Sequence, residues 1–297
     1  MTQAARQIRE GNLRALARTA TGIENREPEA LAVLGELAPF AGHARIVGIT
    51  GAPGAGKSTL VDAMAAALRR EGKTIAILAV DPTSGITGGA ILGDRIRMQQ
   101  HHADPAIFIR SMATRGSLGG LARATADLAE LMDGAGKDYV LIETVGVGQA
   151  EIAVAGLAQV TVVVLVPGMG DDVQAIKAGI LEIAAVFAIN KADQPGADKV
   201  QRELEAMLSL ADGNRPPIVK TVATTGEGVG ELLHAIQSAP SRTRTSAMPR
   251  IALRVANLRD AMASFESAGA RVQLSLDGHV LVEPPPGVFL ELIEEKL

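Results

Sequence analysis

The stretch Gly51-Ala-Pro-Gly-Ala-Gly-Lys-Ser-Thr59 lies between an apolar run and a run with helical periodicity. It fits the pattern G-x-x-x-x-G-K-S/T, whose proper context is a strand before it and a helix after it. The glycines allow a tight turn and a close approach to phosphate oxygens, while successive N–H groups attract the anion. In this pattern Lys57 reaches the β- and γ-phosphates and the Ser58 hydroxyl ligates Mg²⁺. The predicted phosphate-binding residues are Gly51, Ala52, Pro53, Gly54, Ala55, Gly56, Lys57, Ser58 and Thr59.

An ordinary glycine turn before a helix is the alternative interpretation of this stretch. The Lys-Ser pair and the flanking runs argue against it, because a simple turn requires neither.

Composition limits the classes of fold and partner. Hydrophobic residues make up 47% of the 297 residues but aromatic residues only 2%, so the core must consist of Ala, Val, Leu and Ile. That composition fits a parallel sheet covered by helices. The net charge of −4 argues against nucleic acid as the main partner. Because the chain has no cysteine, disulfides, thiolate metal sites and cysteine nucleophiles are excluded.

The sequence also bears on cellular location. The N-terminus has no apolar stretch typical of a signal peptide, and no run of about 18 apolar residues follows it. We therefore expect a cytoplasmic protein without a membrane partner.

From residue 45 onward, strand-like apolar runs alternate with helix-like runs. Val160-Thr-Val-Val-Val-Leu-Val166 is a nearly continuous apolar run rich in β-branched residues, as expected of a strand buried on both faces. The alternation predicts the α/β class with a doubly wound, mostly parallel sheet. Together with the motif at residues 51–59, it predicts a P-loop NTPase. The predicted strands are 45–50, 74–80, 106–110, 139–143, 160–166, 185–190 and 218–222, and the predicted helices are 57–70, 120–132, 149–158, 172–183, 198–210 and 228–237.

The chain divides into four predicted parts. Residues 1–44 show helical spacing of Leu and Ala and are expected to form a solvated N-terminal helical extension. Residues 45–238 form the P-loop domain, and 239–249, which lack periodicity and are flanked by prolines, form a linker. Residues 250–297 form a small α+β unit that is expected to need a partner surface, in this chain or a second copy, because its core is small. Its predicted elements are strand 251–255, helix 257–268 and strands 271–275, 279–283 and 288–294.

A second motif, Asn190-Lys-Ala-Asp193, follows a predicted strand and indicates the base of the nucleotide. The Asp193 carboxylate can accept both N1–H and N2–H of guanine, a donor pair that adenine lacks, so GTP and GDP are the predicted ligands. Asn190 is expected to tie this loop to the phosphate-binding loop, and the Lys191 stem to cover the base. The next predicted strand ends near Ala223, whose N–H could meet guanine O6.

Acidic residues at strand ends are candidates for a magnesium shell. In Glu143-Thr-Val-Gly146, Glu143 would hold Mg²⁺ directly or through water, and the Gly146 N–H would sense the γ-phosphate. Asp81 ends the second predicted strand, and Asp94 follows a glycine-rich loop within residues 82–95, a predicted switch ordered by γ-phosphate. The alternative for Glu143 is a carboxylate that ends a strand before a glycine turn. The alternatives are a cap of the following turn for Asp81 and a helix N-cap for Asp94.

Four further side chains are candidates for function. His101 and His102 are adjacent and do not face each other on a helix, so a solvated helix end is predicted rather than a metal site. Gln174 and Lys177 share one face of the predicted helix 172–183, where Lys177 could stabilise charge on the phosphates. From the residues alone, a surface lysine is the favoured interpretation of Lys177.

These motifs together resemble the MeaB/MMAA-type G proteins, also called ArgK or methylmalonyl-CoA mutase-associated GTPases, over residues 11 to about 238. Besides the two nucleotide motifs, the carrying segments are Asp81-Pro-Thr-Ser84, Thr87-Gly-Gly-Ala-Ile-Leu-Gly-Asp-Arg-Ile-Arg-Met98, Ile109-Arg-Ser-Met-Ala-Thr-Arg-Gly116 and Glu143-Thr-Val-Gly-Val-Gly-Gln149.

The resemblance implies a GTPase chaperone that docks on an adenosylcobalamin-dependent acyl-CoA mutase, gates cofactor loading and protects the mutase. It implies that Asp81, Asp94 and Glu143 surround Mg²⁺. It also implies that Gln174 and Lys177 belong to a switch that becomes catalytic when the mutase is bound, so that the catalytic candidates are Lys57, Glu143, Gln174 and Lys177. The chain departs from the family at Ala178 and Val222, where lysine and serine are usual, and lacks the C-terminal helical dimerisation arm.

The tail 250–297 resembles the second half of a vicinal-oxygen-chelate module, as in methylmalonyl-CoA epimerases. The β-α-β-β-β pattern and Gly287-Val-Phe-Leu-Glu-Leu-Ile293 carry this similarity. That family places a metal-binding carboxylate where Glu291 stands, but a histidine where this chain has Arg250. The resemblance therefore implies a docking or self-association element rather than a catalytic metal site.

Three other functions were weighed. A nickel-insertion GTPase would need Cys/His clusters, which the sequence lacks. A kinase-like NTPase acting on another partner would need ATP, which the Asp193 argument opposes. A nucleotide-gated scaffold with negligible hydrolysis is the alternative from a different class.

Overall fold

The computed structural model describes residues 1–81, 101, 104–113, 118–144, 157–168, 183–209, 215–241, 250–255, 260, 271–274, 280–283 and 289–294. The chain forms two units, Met1–Arg244 and Thr245–Leu297, which are described separately. Within the described ranges, no helix is long and apolar enough to cross a membrane.

The first unit contains the predicted strands and four of the helices predicted after residue 45, whereas the predicted helices 149–158 and 172–183 lie almost entirely outside the described residues. Its described helices are α1 (Gln3–Arg9), α2 (Leu13–Glu24), α3 (Pro28–Leu37), α4 (Lys57–Arg70), α5 (Leu118–Gly134), α6 (Ala197–Ser209) and α7 (Val229–Ser238), with a 3₁₀ turn at Ala38–Phe40. Its strands are β1 (Arg45–Gly51), β2 (Ile75–Asp81), β3 (Ile107–Ala113), β4 (Tyr139–Thr144), β5 (Val160–Leu165), β6 (Val186–Asn190) and β7 (Ile218–Thr221).

The strands form one seven-stranded sheet in the order β3-β2-β4-β1-β5-β6-β7. All neighbouring strands are parallel, which confirms the predicted doubly wound fold. The chain moves from β1 to one side of the sheet and, after β4, to the other, so β1 lies where the winding reverses. Ligands of such sheets bind at the carboxyl ends of the strands at this point, which is where residues 51–59 begin.

Helices α1–α3 cover one face of this sheet instead of standing in solvent. Ile23 and Leu37 are fully buried, and they belong to a core cluster that contains Leu78 and Val140 of the sheet. Outside that core, the Arg110 guanidinium of β3 donates to both carboxylate oxygens of Glu24, at 2.6 and 2.8 Å. The predicted helices are therefore present, but the prediction of a solvated extension is wrong, because the apolar stripe of each helix packs into the core.

The second unit contains a four-stranded sheet in the order β8-β11-β10-β9. Strand β11 is parallel to β8 and antiparallel to β10, and β10 is antiparallel to β9. The four strands coincide with those predicted, whereas the predicted helix 257–268 lies outside the described residues apart from Asp260. The strand bounds are β8 (Arg250–Val255), β9 (Arg271–Leu274), β10 (Val280–Glu283) and β11 (Phe289–Glu294).

Candidate functional site

The phosphate-binding loop connects β1 to α4 through two glycines that no other residue could replace without strain. Gly51 has φ +144°, and a Cβ there would lie 2.3 Å from the carbonyl oxygen of Val164 on β5. Gly56 has φ +82°, and a Cβ there would lie 2.6 Å from the Asn190 Nδ2 atom. Because α4 begins at the next residue, Lys57, the loop ends directly on a helix N-terminus, the feature that favours bound anions.

The Lys57 side chain lies against the loop. Its ammonium group is buried and donates to the carbonyl oxygens of Gly51, at 2.7 Å, and Ala52, at 3.0 Å. The positive charge is therefore held within the concave backbone where phosphate oxygens would lie.

Ser58 and Glu143 meet beside the loop. The Ser58 Oγ donates to Glu143 Oε1 at 2.6 Å, and Glu143 is only 1% exposed. Glu143 stands on β4 opposite Ile49 of β1, so strand pairing brings the carboxylate to the start of α4. Asp81 ends β2, which is also paired with β4, and its backbone therefore reaches the same edge of the sheet.

Asn190, the last residue of β6, joins two loops. Its Nδ2 donates to the Ala55 carbonyl oxygen at 2.9 Å, and its Oδ1 accepts from Thr221 Oγ1 at 3.2 Å and from the Ala223 N–H at 3.1 Å. Asn190 is 2% exposed, so these bonds are shielded from water. The amide thereby connects the phosphate-binding loop to the end of β7.

A pocket of about 180 Å³ opens between these loops. Lys191, with φ +56°, lies in its wall and donates from Nζ to the Gly54 carbonyl oxygen at 3.0 Å. A carboxylate, Asp193, belongs to the same lining. The lining residues are Gly56, Thr59, Asn190, Lys191, Asp193, Gln194, Val222, Ala223 and Thr224.

The structure adds detail that the motifs did not supply. Gln194 and Thr224 line the pocket although neither was a candidate, and their positions directly beside predicted site residues were the available signal. The Ala223 N–H, which the sequence analysis directed at guanine O6, donates to Asn190 Oδ1 instead. A role for Ala223 toward O6 stays a prediction.

His101 differs from its prediction. It is 8% exposed rather than solvated, and its Nε2 lies 2.9 Å from Asp62 Oδ1 on α4. Among the described residues, no group of three or more His, Cys, Asp or Glu side chains could hold a metal ion.

Several candidates cannot be placed. Asp94, Gly146, Gln174 and Lys177 lie outside the described residues, and only the backbone of Asp81 is described. The structure thus brings together the phosphate loop, Glu143 and residues 190–193, whereas the predicted switches lie outside the described residues.

Comparison with known proteins identifies the family. A family model described as methylmalonyl-CoA mutase-associated GTPase MeaB matches residues 16–263. The chain belongs to the MeaB family. A Pyrococcus horikoshii GTPase is 52% identical to this MeaB-family chain over 236 residues, which are 77% of the chain and 74% of the relative. The GTPase ArgK of Escherichia coli is 37% identical over 247 residues, 80% of the chain and 75% of ArgK.

Two further similarities agree with this family. The mouse mitochondrial methylmalonic aciduria type A homolog is 41% identical over 193 residues, 63% of the chain and 46% of that protein. A crystal structure of an LAO/AO transport system kinase has a TM-score of 0.64 and 31% identity, covering 79% of the chain and 73% of that protein.

The MeaB-family chain is therefore a GTPase with a P-loop NTPase fold, and its family is associated with methylmalonyl-CoA mutase.

Proposed function

We propose that this GTPase is a chaperone of an adenosylcobalamin-dependent acyl-CoA mutase of the methylmalonyl-CoA mutase type, which it protects and whose cofactor loading it gates. The observation that carries the proposal is the Asn190 amide, which joins the phosphate-binding loop to the base pocket in a chain of a mutase-associated family. A site built in this way can couple the state of one nucleotide to a partner protein.

The proposed nucleotide is GTP, hydrolysed to GDP and phosphate. Residues 51–59 and Lys57 would bind the phosphates, while Asp193 would accept the two guanine N–H groups. Lys191 would pack its stem over the base, a role supported by the bond that fixes its ammonium group to Gly54.

The described residues fit a magnesium ion. Ser58 Oγ and Glu143 Oε1 are hard oxygen ligands that lie 2.6 Å apart at the start of α4, and Glu143 is buried beside the phosphate loop. Ser58 and Glu143 would hold Mg²⁺, with Asp81 and Asp94 as further proposed ligands. When bound, the ion neutralises charge on the β- and γ-phosphates.

The remaining catalytic roles are proposed by family membership. Gln174 and Lys177 would act in hydrolysis when the mutase is bound, and the Gly146 N–H would sense the γ-phosphate. These residues lie outside the described part of the chain, and each is a target for mutagenesis.

We also propose that residues 250–297, which follow the linker 239–249, form a docking or self-association element. The strand order β8-β11-β10-β9 supports a β-α-β-β-β half-module like that of a vicinal-oxygen-chelate protein. Glu291 lies on β11 opposite Ala252 of β8. Deleting residues 245–297 should leave GTP binding intact but weaken mutase binding or self-association, and unchanged assembly would exclude this role.

The decisive experiment measures GTP hydrolysis with and without methylmalonyl-CoA mutase, with ATP as the nucleotide control and Lys57→Ala as the inactive control. Stimulation by the mutase with GTP alone is expected. If a saturating mutase concentration leaves turnover unchanged, the proposed coupling is wrong. Preferential ATP hydrolysis would instead favour the kinase-like alternative. GTP binding without hydrolysis, both with and without the mutase, would favour the scaffold.

A further inference from the structure

The last turn of α7 is capped by an arginine from a distant part of the chain. In a continued helix the Ile236 carbonyl oxygen would accept from the N–H of residue 240, but Pro240 has no N–H. Instead, the Arg45 guanidinium at the start of β1 donates from Nη2 to the Ile236 oxygen at 2.7 Å and to the Ala239 carbonyl oxygen at 2.7 Å. Because the last turn of α7 has no basic residue of its own, Arg45 supplies the positive charge that a helix C-terminus favours.

The same arginine holds the first residues of the predicted linker. Its other terminal nitrogen, Nη1, donates to Ser241 Oγ. On the neighbouring strand β4, Tyr139 lies opposite Arg45, and its hydroxyl accepts from Gln237 Nε2 at 3.1 Å. Tyr139 is buried, so its ring is fixed by the core. We call Arg45, Tyr139 and residues 236–241 the linker anchor.

Both elements that meet at the linker anchor have their other end at the nucleotide site. Strand β1 runs from Arg45 to Gly51, the first residue of the phosphate-binding loop, over about 20 Å. Helix α7 is about 15 Å long and follows the loop whose residues 222–224 line the pocket. Val47 of β1 and Leu232 of α7 are fully buried in one core cluster. The linker anchor is therefore connected to the nucleotide site through packed secondary structure.

We propose that Arg45 is a positioning residue that couples the nucleotide site to the linker. A bound nucleotide orders the phosphate-binding loop and residues 222–224, and β1 and α7 pass this order to the guanidinium and the carbonyl groups that it holds. The start of the linker is then held more firmly in the nucleotide-bound protein than in the free protein. This inference rests on the proposed function, because it gives the linker to the docking element 250–297 a role in nucleotide response.

The test measures amide hydrogen exchange of residues 236–241 by mass spectrometry in the full chain, with and without saturating GDP and Mg²⁺. The variants are Arg45→Met, which removes the guanidinium, and Tyr139→Phe, which removes only the hydroxyl. The matched control is Arg9→Met, because Arg9 also donates to a carbonyl oxygen at a helix end, that of Gly134 on α5, at 3.1 Å. Nucleotide titration and circular dichroism melts verify binding and folding of each variant.

In the wild type and in Arg9→Met, GDP should slow exchange at residues 236–241 about fivefold or more, the order expected for coupling between sites. Arg45→Met should exchange about tenfold faster than the wild type without nucleotide, because hydrogen bonds to a charged group are lost, and GDP should no longer slow it. Tyr139→Phe should change exchange in the same direction by a smaller factor.

The inference is overturned if GDP leaves wild-type exchange unchanged, or if Arg45→Met binds GDP and keeps the wild-type protection. If Arg45→Met does not fold, Tyr139→Phe decides, and wild-type exchange in that variant overturns the linker anchor. Stimulation of GTP hydrolysis by the mutase is measured separately. Its absence contradicts the proposed function whatever the exchange shows, whereas stimulation without protection by GDP contradicts this inference alone.

Discussion

Asn190 of β6 and Ala55 of the phosphate-binding loop are joined by a hydrogen bond of 2.9 Å from Nδ2 to the carbonyl oxygen. The same amide accepts from Thr221 and Ala223, so one buried side chain fixes both the phosphate-binding loop and the end of β7. Because a residue outside the loop fixes its conformation, the loop is pre-organised for its ligand. Less conformational entropy is therefore lost when the ligand binds.

Replacing Asn190 by Ala should therefore weaken both stability and GTP binding. Three hydrogen bonds are lost and their buried partners are left unsatisfied, which we expect to cost about 1–3 kcal/mol of unfolding free energy. Denaturant unfolding and nucleotide titration measure the two effects. The control is Asn12→Ala, which removes the N-cap bonds to Arg14 and Ala15 on α2 and should cost about 1 kcal/mol without changing GTP affinity. Equal GTP affinity in the Asn190 variant and the control would contradict a role of Asn190 in fixing the phosphate-binding loop for the nucleotide.

Asp193→Asn should shift the base preference from guanine towards xanthine. The amide cannot accept two N–H groups as the carboxylate does, whereas it can donate to the xanthine carbonyl. Competition of GTP and xanthosine triphosphate for the site measures the change. Asp198→Asn is the control, because Asp198 is a nearby aspartate that pairs with Lys220 at 2.6 Å and is not part of the pocket lining. Unchanged GTP affinity in Asp193→Asn would remove Asp193 from the base site.

Leu37→Ala should destabilise the whole first unit by about 2–5 kcal/mol, the usual cost of a cavity in a packed core. Leu37 is fully buried and belongs to the cluster that joins α1–α3 to the sheet. A single cooperative transition at lower temperature is expected when unfolding is followed by calorimetry. A separate early transition, with the rest of the unit melting as in the wild type, would mean that the N-terminal helices fold independently.

The Asp104–Arg69 ion pair should make stability depend on pH in the acid range. The hydrogen bond from Arg69 holds the pKa of Asp104 below its ordinary value of 3.8. The folded state therefore favours the carboxylate, and the stabilisation is present above the unfolded pKa and lost as the pH falls through the folded pKa. Asp104→Asn should lower stability near neutral pH by at most about 1 kcal/mol, because the pair is partly exposed.

Melting curves of wild type and Asp104→Asn should converge as the pH falls through the folded pKa of Asp104, which lies below 3.8, because the folded carboxyl is then protonated as well. Asp198→Asn, whose side chain is 82% exposed, should show a smaller difference at neutral pH. A difference between wild type and Asp104→Asn that stays constant into acid would show that the effect does not come from the charge of Asp104.

The sequence by itself predicted the α/β fold and the two nucleotide motifs. A strand that is buried on both faces, such as 160–165, has a nearly continuous apolar sequence, which can be recognised without the structure. A backbone that surrounds a phosphate needs glycine at fixed positions, which can be recognised in the same way. Gly51 and Gly56 illustrate this, since a Cβ at either position would collide with Val164 or Asn190.

Only the tertiary structure decided which side chains meet across the chain. Residues 1–44 have the same apolar spacing whether they stand apart or pack on the sheet, and the contacts of Ile23 and Leu37 decide for packing. His101 is likewise a polar residue in sequence, and its burial beside Asp62 follows from the position of α4. The physical reason is that local periodicity specifies which face of an element is apolar, whereas the partner of that face, and of each buried charge, is set by packing between distant segments.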